Sequence, residues 1–186
     1  PEGLYAIGRG AFSGTGITTL TFPTSLRRVE ESAFYNCTRL KSLVFPASVV
    51  QWGNRVFSGC EAVTKVTIED GVTKLPDYIF QGMEKLTAIT IPASVRSVGK
   101  DAFASTGLKK VTLPATVAEW GESVFYHAGL TSVTIEDGIR EIPKQMFFMC
   151  ENLTSVTLPE SVKSVGDGAF SGCKKLSKIT LNEGLE

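Results

Sequence analysis

Residues 136–158 read EDGIREIPKQMFFMCENLTSVTL, and the same order of apolar and turn-forming positions recurs along the whole chain. The recurrence is clearest at one phenylalanine in each unit, which we call the anchor. The eight anchors, spaced by 22 or 23 residues, are Phe12, Phe34, Phe57, Phe80, Phe103, Phe125, Phe147 and Phe170. A fixed period of this length predicts a repeat protein whose units stack on one another.

Other apolar positions keep the same register in every unit. A large apolar residue stands eight residues before each anchor and another stands five before it, as Ile139 and Ile142 do ahead of Phe147. Each unit ends in a segment such as residues 153–158, where β-branched side chains are frequent and apolar and polar residues alternate at the end, which favours a short strand. Because so short a unit cannot bury its own apolar face, we expect the strands of neighbouring units to pair in parallel, about 4.8 Å apart.

The sequence therefore predicts one domain over residues 1–186, an α/β-type repeat solenoid dominated by short parallel β-strands and built of eight units of 22–23 residues. Within it a three-unit block, residues 49–116, is duplicated as residues 117–184. Trp52 then corresponds to Trp120, and Pro76 corresponds to Pro143.

The duplication also explains why TIEDG occurs twice, at residues 67–71 and 134–138. At one strand per unit the two copies would lie roughly 15 Å apart, too far for one cation to bridge them. An Asp-Gly turn is therefore favoured over a split metal site.

The two ends of the chain, PEGL and NEGLE, fall at the same point of the repeat and show no recognisable capping unit. This predicts a piece of a longer array, or ends that stack on other copies of the chain.

Composition argues against several classes of protein. The chain is 42% hydrophobic and 20% charged, which is typical of a packed domain. Its 19 basic residues balance 19 acidic ones, so no long-range field attracts nucleic acid or anionic lipid. The longest apolar run is far shorter than the ~20 residues that cross a bilayer. We expect neither a nucleic-acid partner nor membrane insertion.

The stretches RVEESAFYNCTRLKSLVFP (residues 28–46) and SVGDGAFSGCKKLSKITL (residues 164–181) resemble BspA-type, or Treponema-type, leucine-rich repeats. The pattern of that family runs apolar-Gly-x-x-Ala-Phe-x-x-Cys-x-x-Leu-x-x-apolar-x-apolar-Pro. The resemblance implies a curved, right-handed leucine-rich-repeat solenoid with a parallel sheet on its concave side. This chain departs from the pattern at Trp52 and Trp120 (for an aliphatic residue), Pro76 and Pro143 (for Gly) and Met83 (for Cys).

What the resemblance implies about function is a non-enzymatic protein-binding or adhesion module of a secreted or cell-surface bacterial protein. The partner would be a host or cell-surface protein, and the location would be extracellular or on the cell surface. The alternative is a structural spacer array that holds another domain away from the cell. We expect no cofactor, and we expect a monomer, with end-to-end stacking as the alternative.

Four cysteines occupy one column, three residues after their anchors: Cys37, Cys60, Cys150 and Cys173. Their spacing fits no zinc motif and no histidine accompanies them, so buried free thiols are favoured over metal ligands. A disulfide between neighbouring units stays open as the alternative.

Candidate partner-binding residues fall on two surfaces. Directly after the anchors stand Tyr35, Tyr126 and Phe148, and with His127 and Met149 the last two could form an exposed apolar patch. The outward face of the strands is mostly a column of threonines flanked by Lys65, Lys110 and Lys178. The alternatives are a ridge that only packs locally and a threonine ladder that only stabilises the sheet. His127, the only histidine, is expected to be a surface turn residue, and Trp52 and Trp120 are expected in the core.

Overall fold

The computed structural model describes residues 3–181 and 183–184, so the expectation about the chain ends concerns in part residues outside this range. We number the units 1 to 8: residues 4–25, 26–48, 49–71, 72–94, 95–116, 117–138, 139–161 and 162–184. The predicted solenoid of short parallel strands is confirmed. Its described residues form no helix, and hence none that could cross a membrane.

Most units contribute strands at two places, whereas the sequence predicted one. The expected strand near the end of the unit forms at Ser42–Phe45, Lys65–Ile68, Lys110–Leu113, Ser132–Ile135, Ser155–Thr157 and Lys178–Thr180. We call these the long strands. The short strands, near the start of each unit, are Ala6–Ile7, Arg28–Val29, Gln51–Trp52, Lys74–Leu75, Ser97–Val98, Glu119–Trp120, Glu141–Ile142 and Ser164–Val165. Two residues are too few to show a period, which is why sequence reasoning missed them.

Between its short and long strands each unit turns tightly around its anchor. Residues two before and two after the anchor have positive φ in every unit, for example Ser123 (55°) and His127 (53°) around Phe125. Their N–H groups donate to carbonyls of the following unit, as Ser123 does to Lys144 (3.1 Å) and His127 does to Phe148 (2.9 Å). These turns thus carry a ladder of their own, on the side of the solenoid that we call the turn side.

The anchors form the centre of the core. All except Phe12 and Phe170 are fully buried, and most successive rings stack, as Phe103 does on Phe125 at 5.5 Å and 8°. Phe12 is 41% exposed, because only one unit packs against it. On the long strands the residues alternate between core and solvent, so Val66 and Ile68 are buried while Lys65 and Thr67 are exposed, as the threonine column predicted.

Strand pairing stops at two unit boundaries. The short strands pair within units 1–3, units 4–6 and units 7–8, but not between these groups. The long strands pair within units 2–3, 5–6 and 7–8, and the equivalent residues 88–91 of unit 4 form no strand. We call the boundary between units 3 and 4 the first joint and the boundary between units 6 and 7 the second joint. Their three-unit separation equals the period of the sequence duplication.

Candidate functional site

The aromatic residues predicted to form a patch meet on the turn side of units 6 and 7. The rings of Tyr126 and Phe148 stack with centroids 5.7 Å apart and planes 8° apart. The His127 ring lies 6.2 Å from that of Tyr126. Tyr126 is 38% exposed and His127 is exposed, while Phe148 and Met149 are half-buried. We call these four residues the aromatic ridge.

The anchors position this ridge. Phe125 and Phe147 stack beneath it at 5.6 Å and 5°, so the residues that follow them, Tyr126 and Phe148, emerge in register. The backbone fixes the same register, because the His127 N–H donates to the Phe148 carbonyl at 2.9 Å. A stack held from below in this way presents a pre-formed surface.

A groove of about 260 Å³ runs beside the ridge. Its lining is Glu84, Ser105, Thr106, Gly107, His127, Ala128, Gly129, Met149, Glu151 and Asn152. Units 4 and 7 each form an extra turn after the anchor, at residues 84–85 and 151–152, and the shorter units 5 and 6 between them do not. The missing residue in those two units therefore creates the floor of the groove. The 22-residue spacings from Phe103 to Phe125 and from Phe125 to Phe147 are visible in the sequence but do not by themselves indicate a site.

The rim of the groove is polar. On one wall the Glu151 carboxylate accepts a hydrogen bond from Lys174 at 2.8 Å, and this bond lowers the pKa of the exposed carboxyl. Glu84 stands on the opposite wall. Gly129 leaves room for the Lys109 ammonium, whose Nζ would lie 3.2 Å from a Cβ at that position. Such a site can bind through apolar and polar contacts, and the described residues contain no cluster of three or more His, Cys, Asp or Glu that could hold a metal ion.

The remaining candidates do not join this site. Tyr35 is also 38% exposed, but it belongs to unit 2, four units from Tyr126. Lys65, Lys110 and Lys178 are exposed on the long strands of units 3, 5 and 8, so no two of them lie in adjacent units.

Not every residue directly after an anchor is exposed, since Ser58 and Ala104 are buried. Both side chains are short and stand beside larger ones, and the Ser58 hydroxyl donates to the Gln81 side-chain oxygen at 3.1 Å.

The cysteines are free thiols, as favoured by the sequence, and Cys37, Cys60 and Cys150 are fully buried. Each thiol donates to the carbonyl of the anchor in the preceding unit, for example Cys60 to Phe34 at 3.3 Å and Cys150 to Phe125 at 3.1 Å. Burial raises the pKa of both Cys60 and Cys150 to about 12, so neither forms a thiolate nucleophile near neutral pH. Their role is structural.

The duplicated Glu-Asp-Gly stretch also has a structural role. The carboxylate of Glu69 accepts the Ala47 N–H at 3.0 Å, and that of Glu136 accepts the Ala115 N–H at 2.9 Å. The glycine of each copy has a positive φ, 95° at Gly71 and 110° at Gly138, which a turn residue with a Cβ rarely adopts. The stretch therefore links each turn to the preceding unit.

Comparison with protein families identifies this architecture. A model of the BspA-type leucine-rich repeat region matches residues 5–129 and 119–186, with six copies of the repeat. The chain belongs to the BspA-type leucine-rich repeat family. No curated protein matches it.

Several solved leucine-rich repeat structures resemble this BspA-type chain. A leucine-rich repeat protein of Bacteroides ovatus is 26% identical with a TM-score of 0.79, over 98% of this chain and 60% of that one. A leucine-rich repeat protein of T. pallidum is 29% identical with a TM-score of 0.75, over 86% of this chain and 78% of that one. A leucine-rich cell surface protein of Faecalibacterium prausnitzii is 25% identical with a TM-score of 0.66, over all of this chain and 53% of that one. The chain thus spans less than two thirds of the Bacteroides and Faecalibacterium proteins.

Proposed function

We propose that the chain is a non-enzymatic protein-binding module of a secreted or cell-surface bacterial protein, and that it adheres to its partner through the aromatic ridge and the adjoining groove. The observation that carries this proposal is the stacked pair formed by the exposed Tyr126 and the half-buried Phe148. Membership of a repeat family whose fold is an interaction scaffold supports the class of function. The similarity to a leucine-rich cell surface protein supports the location.

The energetics of the ridge favour a protein partner. Aromatic side chains dominate the binding energy of protein interfaces, and an exposed aromatic pair in a polar surround is typical of a partner site. Because the two rings already stack, binding them would order few side-chain rotamers. The polar groove wall, with Glu84 on one side and the Glu151–Lys174 pair on the other, offers hydrogen bonds around the apolar centre.

The test is a binding screen of the monomeric chain against extracellular-matrix and cell-surface proteins, with folding and monomer state checked by circular dichroism and light scattering. The variant Tyr126→Ser/Phe148→Ser should weaken binding by about 30-fold or more, as expected for loss of an interface hot spot. Tyr35→Ser is the matched control, because Tyr35 stands in the same column with the same exposed fraction, 38%. It should leave the affinity unchanged.

Other outcomes would redirect the assignment. Binding that survives the double substitution but is lost in Lys65→Ala/Lys110→Ala would assign the site to the outward face of the long strands. A folded sample without affinity for any of the proteins screened would count against adhesion and favour a spacer array.

A further inference from the structure

The backbone hydrogen bonds on the strand side differ between the two joints and the other unit boundaries. After each short strand, the N–H of the next residue normally donates to a carbonyl of the preceding unit. These bonds are 2.8 Å long from Gly53 to Val29, Gly99 to Leu75, Gly121 to Val98 and Gly166 to Ile142. At the two joints this position is Pro76 or Pro143, and proline has no N–H to donate.

The loss extends beyond the prolines. Two residues earlier in the unit, the N–H of Ser97 donates to Thr73 at 3.2 Å and that of Ser164 donates to Arg140 at 3.4 Å. Among the described residues, Lys74 and Glu141 occupy the same position after the joints and make no such bond. The long strands are unpaired at the same two boundaries. In a repeat array, stability between neighbours depends on such contacts, so each joint is a weak boundary.

The turn side keeps its ladder of hydrogen bonds across both joints, whereas few bonds of the described residues cross them on the strand side. Across the first joint the Arg55 N–H donates to Asp77 at 3.0 Å, and the Gly59 N–H donates to Gln81 at 2.8 Å. Across the second joint the ladder runs through Phe125, whose N–H donates to Met146 at 2.9 Å.

On the strand side the first joint keeps only the local turn bond from Val72 to Glu69 among the described residues. The second joint keeps the bond from the Thr154 N–H to the Thr131 carbonyl at 3.3 Å and the bond from the Gly138 N–H to the Ser161 hydroxyl at 2.8 Å. A boundary whose hydrogen bonds form a continuous ladder on one side and are few on the other has the geometry of a hinge.

Each joint has a cleft on its strand side, and the two clefts are lined by equivalent residues. The first, of about 350 Å³, includes Trp52 and Pro76 in its wall, and the second, of about 550 Å³, includes Trp120 and Pro143. The sequence predicted both tryptophans in the core, but both pack against it and remain partly exposed. Their Nε1 atoms are buried without a hydrogen-bond partner. A buried N–H group without an acceptor costs free energy, which favours an opening of the joint that exposes the indole to water.

We propose that the two joints are hinges at which the solenoid changes its curvature. Units 1–3, 4–6 and 7–8 move as rigid segments, and the turn-side ladder is the pivot. The prolines set the hinge positions by removing one donor from each strand ladder.

Residue-resolved amide hydrogen exchange of the unmodified chain tests the hinge directly. The Lys74 and Glu141 amides should exchange at least about tenfold faster than their equivalents Ser97 and Ser164, since they lack the hydrogen bond that protects the latter. Pro76→Gly, which supplies the N–H that neighbouring units have, should slow exchange at Lys74. Pro92→Gly changes a turn proline away from either joint and controls for the general effect of replacing proline by glycine.

A distance measurement tests the motion itself. Nitroxide labels attached to cysteines introduced at Arg28 and Lys74 span two unit boundaries that include the first joint, and labels at Lys74 and Glu119 span two boundaries within one segment. All three positions are exposed and occupy the same column. The pair across the joint should show the broader distance distribution in electron paramagnetic resonance. Equal widths for the two pairs, or equal exchange rates for Lys74 and Ser97 in the unmodified chain, would overturn the proposal.

Discussion

The first and second joints occupy equivalent places in the duplicated blocks, yet the packing across them differs. Across the second joint the anchors Phe125 and Phe147 stack at 5.6 Å, and Tyr126 stacks on Phe148 above them. Across the first joint Phe80 meets Phe45 edge-on, at 5.8 Å and 75°. It makes no stack with the preceding anchor among the ring contacts of the described residues. Two rows of rings therefore tie the second joint, and none ties the first in the same way.

One residue accounts for much of this difference. Phe45 stacks on Trp52 at 4.1 Å and also receives the edge of Phe80. Phe45 stands seven residues before Trp52, and the equivalent residue before Trp120 is Leu113, which has no ring to compete for the anchor. The comparison teaches that backbone chemistry decides where the strand ladders stop, whereas side-chain packing decides how firmly the boundary is held. It also makes the first joint the looser hinge.

The equivalent anchors Phe57 and Phe125 should give the largest effect. Replacing either by alanine leaves a cavity in the core, because both are fully buried, and should cost about 3 to 5 kcal/mol of unfolding free energy. The two costs should be similar although only Phe125 stacks on both sides, since each ring meets three other aromatic rings. Phe57 meets Phe22, Phe34 and Trp52, and Phe125 meets Phe103, Trp120 and Phe147. Urea unfolding of the two variants measures the difference. A clearly larger cost for either variant would mean that stacked and edge-on contacts do not contribute equally at these two anchors.

One unit after each joint proline the same column holds a glycine, Gly99 after Pro76 and Gly166 after Pro143. These two glycines test whether the units after both joints are packed equally tightly. A Cβ at Gly99 would lie 2.5 Å from the Asp77 backbone nitrogen, and one at Gly166 would lie 2.5 Å from that of Lys144. Gly99→Ala and Gly166→Ala should each destabilise by about 1 to 3 kcal/mol through overpacking. Gly8→Ala is the matched control, because a Cβ at Gly8 meets nothing within 4 Å. Equal thermal unfolding midpoints for the three variants would show that the units after the joints are not tightly packed.

The smallest expected effect is a pH dependence that the two blocks should share. Cys60 and Cys150 have pKa values of about 12 in the folded chain, against 9.0 as the ordinary value. Above pH 9 the unfolded chain therefore releases thiol protons that the folded chain retains, and stability falls as the pH rises between these values. The loss should be about 1.4 kcal/mol per pH unit for each thiol, as an order of magnitude.

Unfolding midpoints at pH 8 and pH 10 measure this loss. Cys60→Ala and Cys150→Ala should each reduce the fall in stability between the two pH values by a similar amount, whatever their effect at pH 8. An unchanged pH dependence in both variants would mean that the thiols are not buried as described.

Sequence patterns were sufficient for the features that every unit repeats. The anchors, the apolar columns, the parallel pairing and the buried cysteines follow from side chains that recur at fixed spacing, because stacked units bury equivalent positions equivalently. The patch of Tyr126 and Phe148 was also predictable, since consecutive units align the residues that follow their anchors.

Features that depend on two neighbouring units at once were not predictable from the same patterns. The short strands exist only through their pairing, and the groove exists because two shortened units lie between two longer ones. Pro76 and Pro143 were visible as departures from the repeat. Their effect was not, because each removes a hydrogen-bond donor from a carbonyl of the preceding unit, and only the structure locates that carbonyl.

The sequence alone thus determined the unit, the residues that fill its core and the three-unit period, because local spacing and apolar character decide which side chains face inward. Only the tertiary structure decided where the array is weak and which anchor rings stack across a boundary. Those outcomes depend on hydrogen bonds and ring contacts between units, and a missing donor or an extra ring in one unit acts on the next.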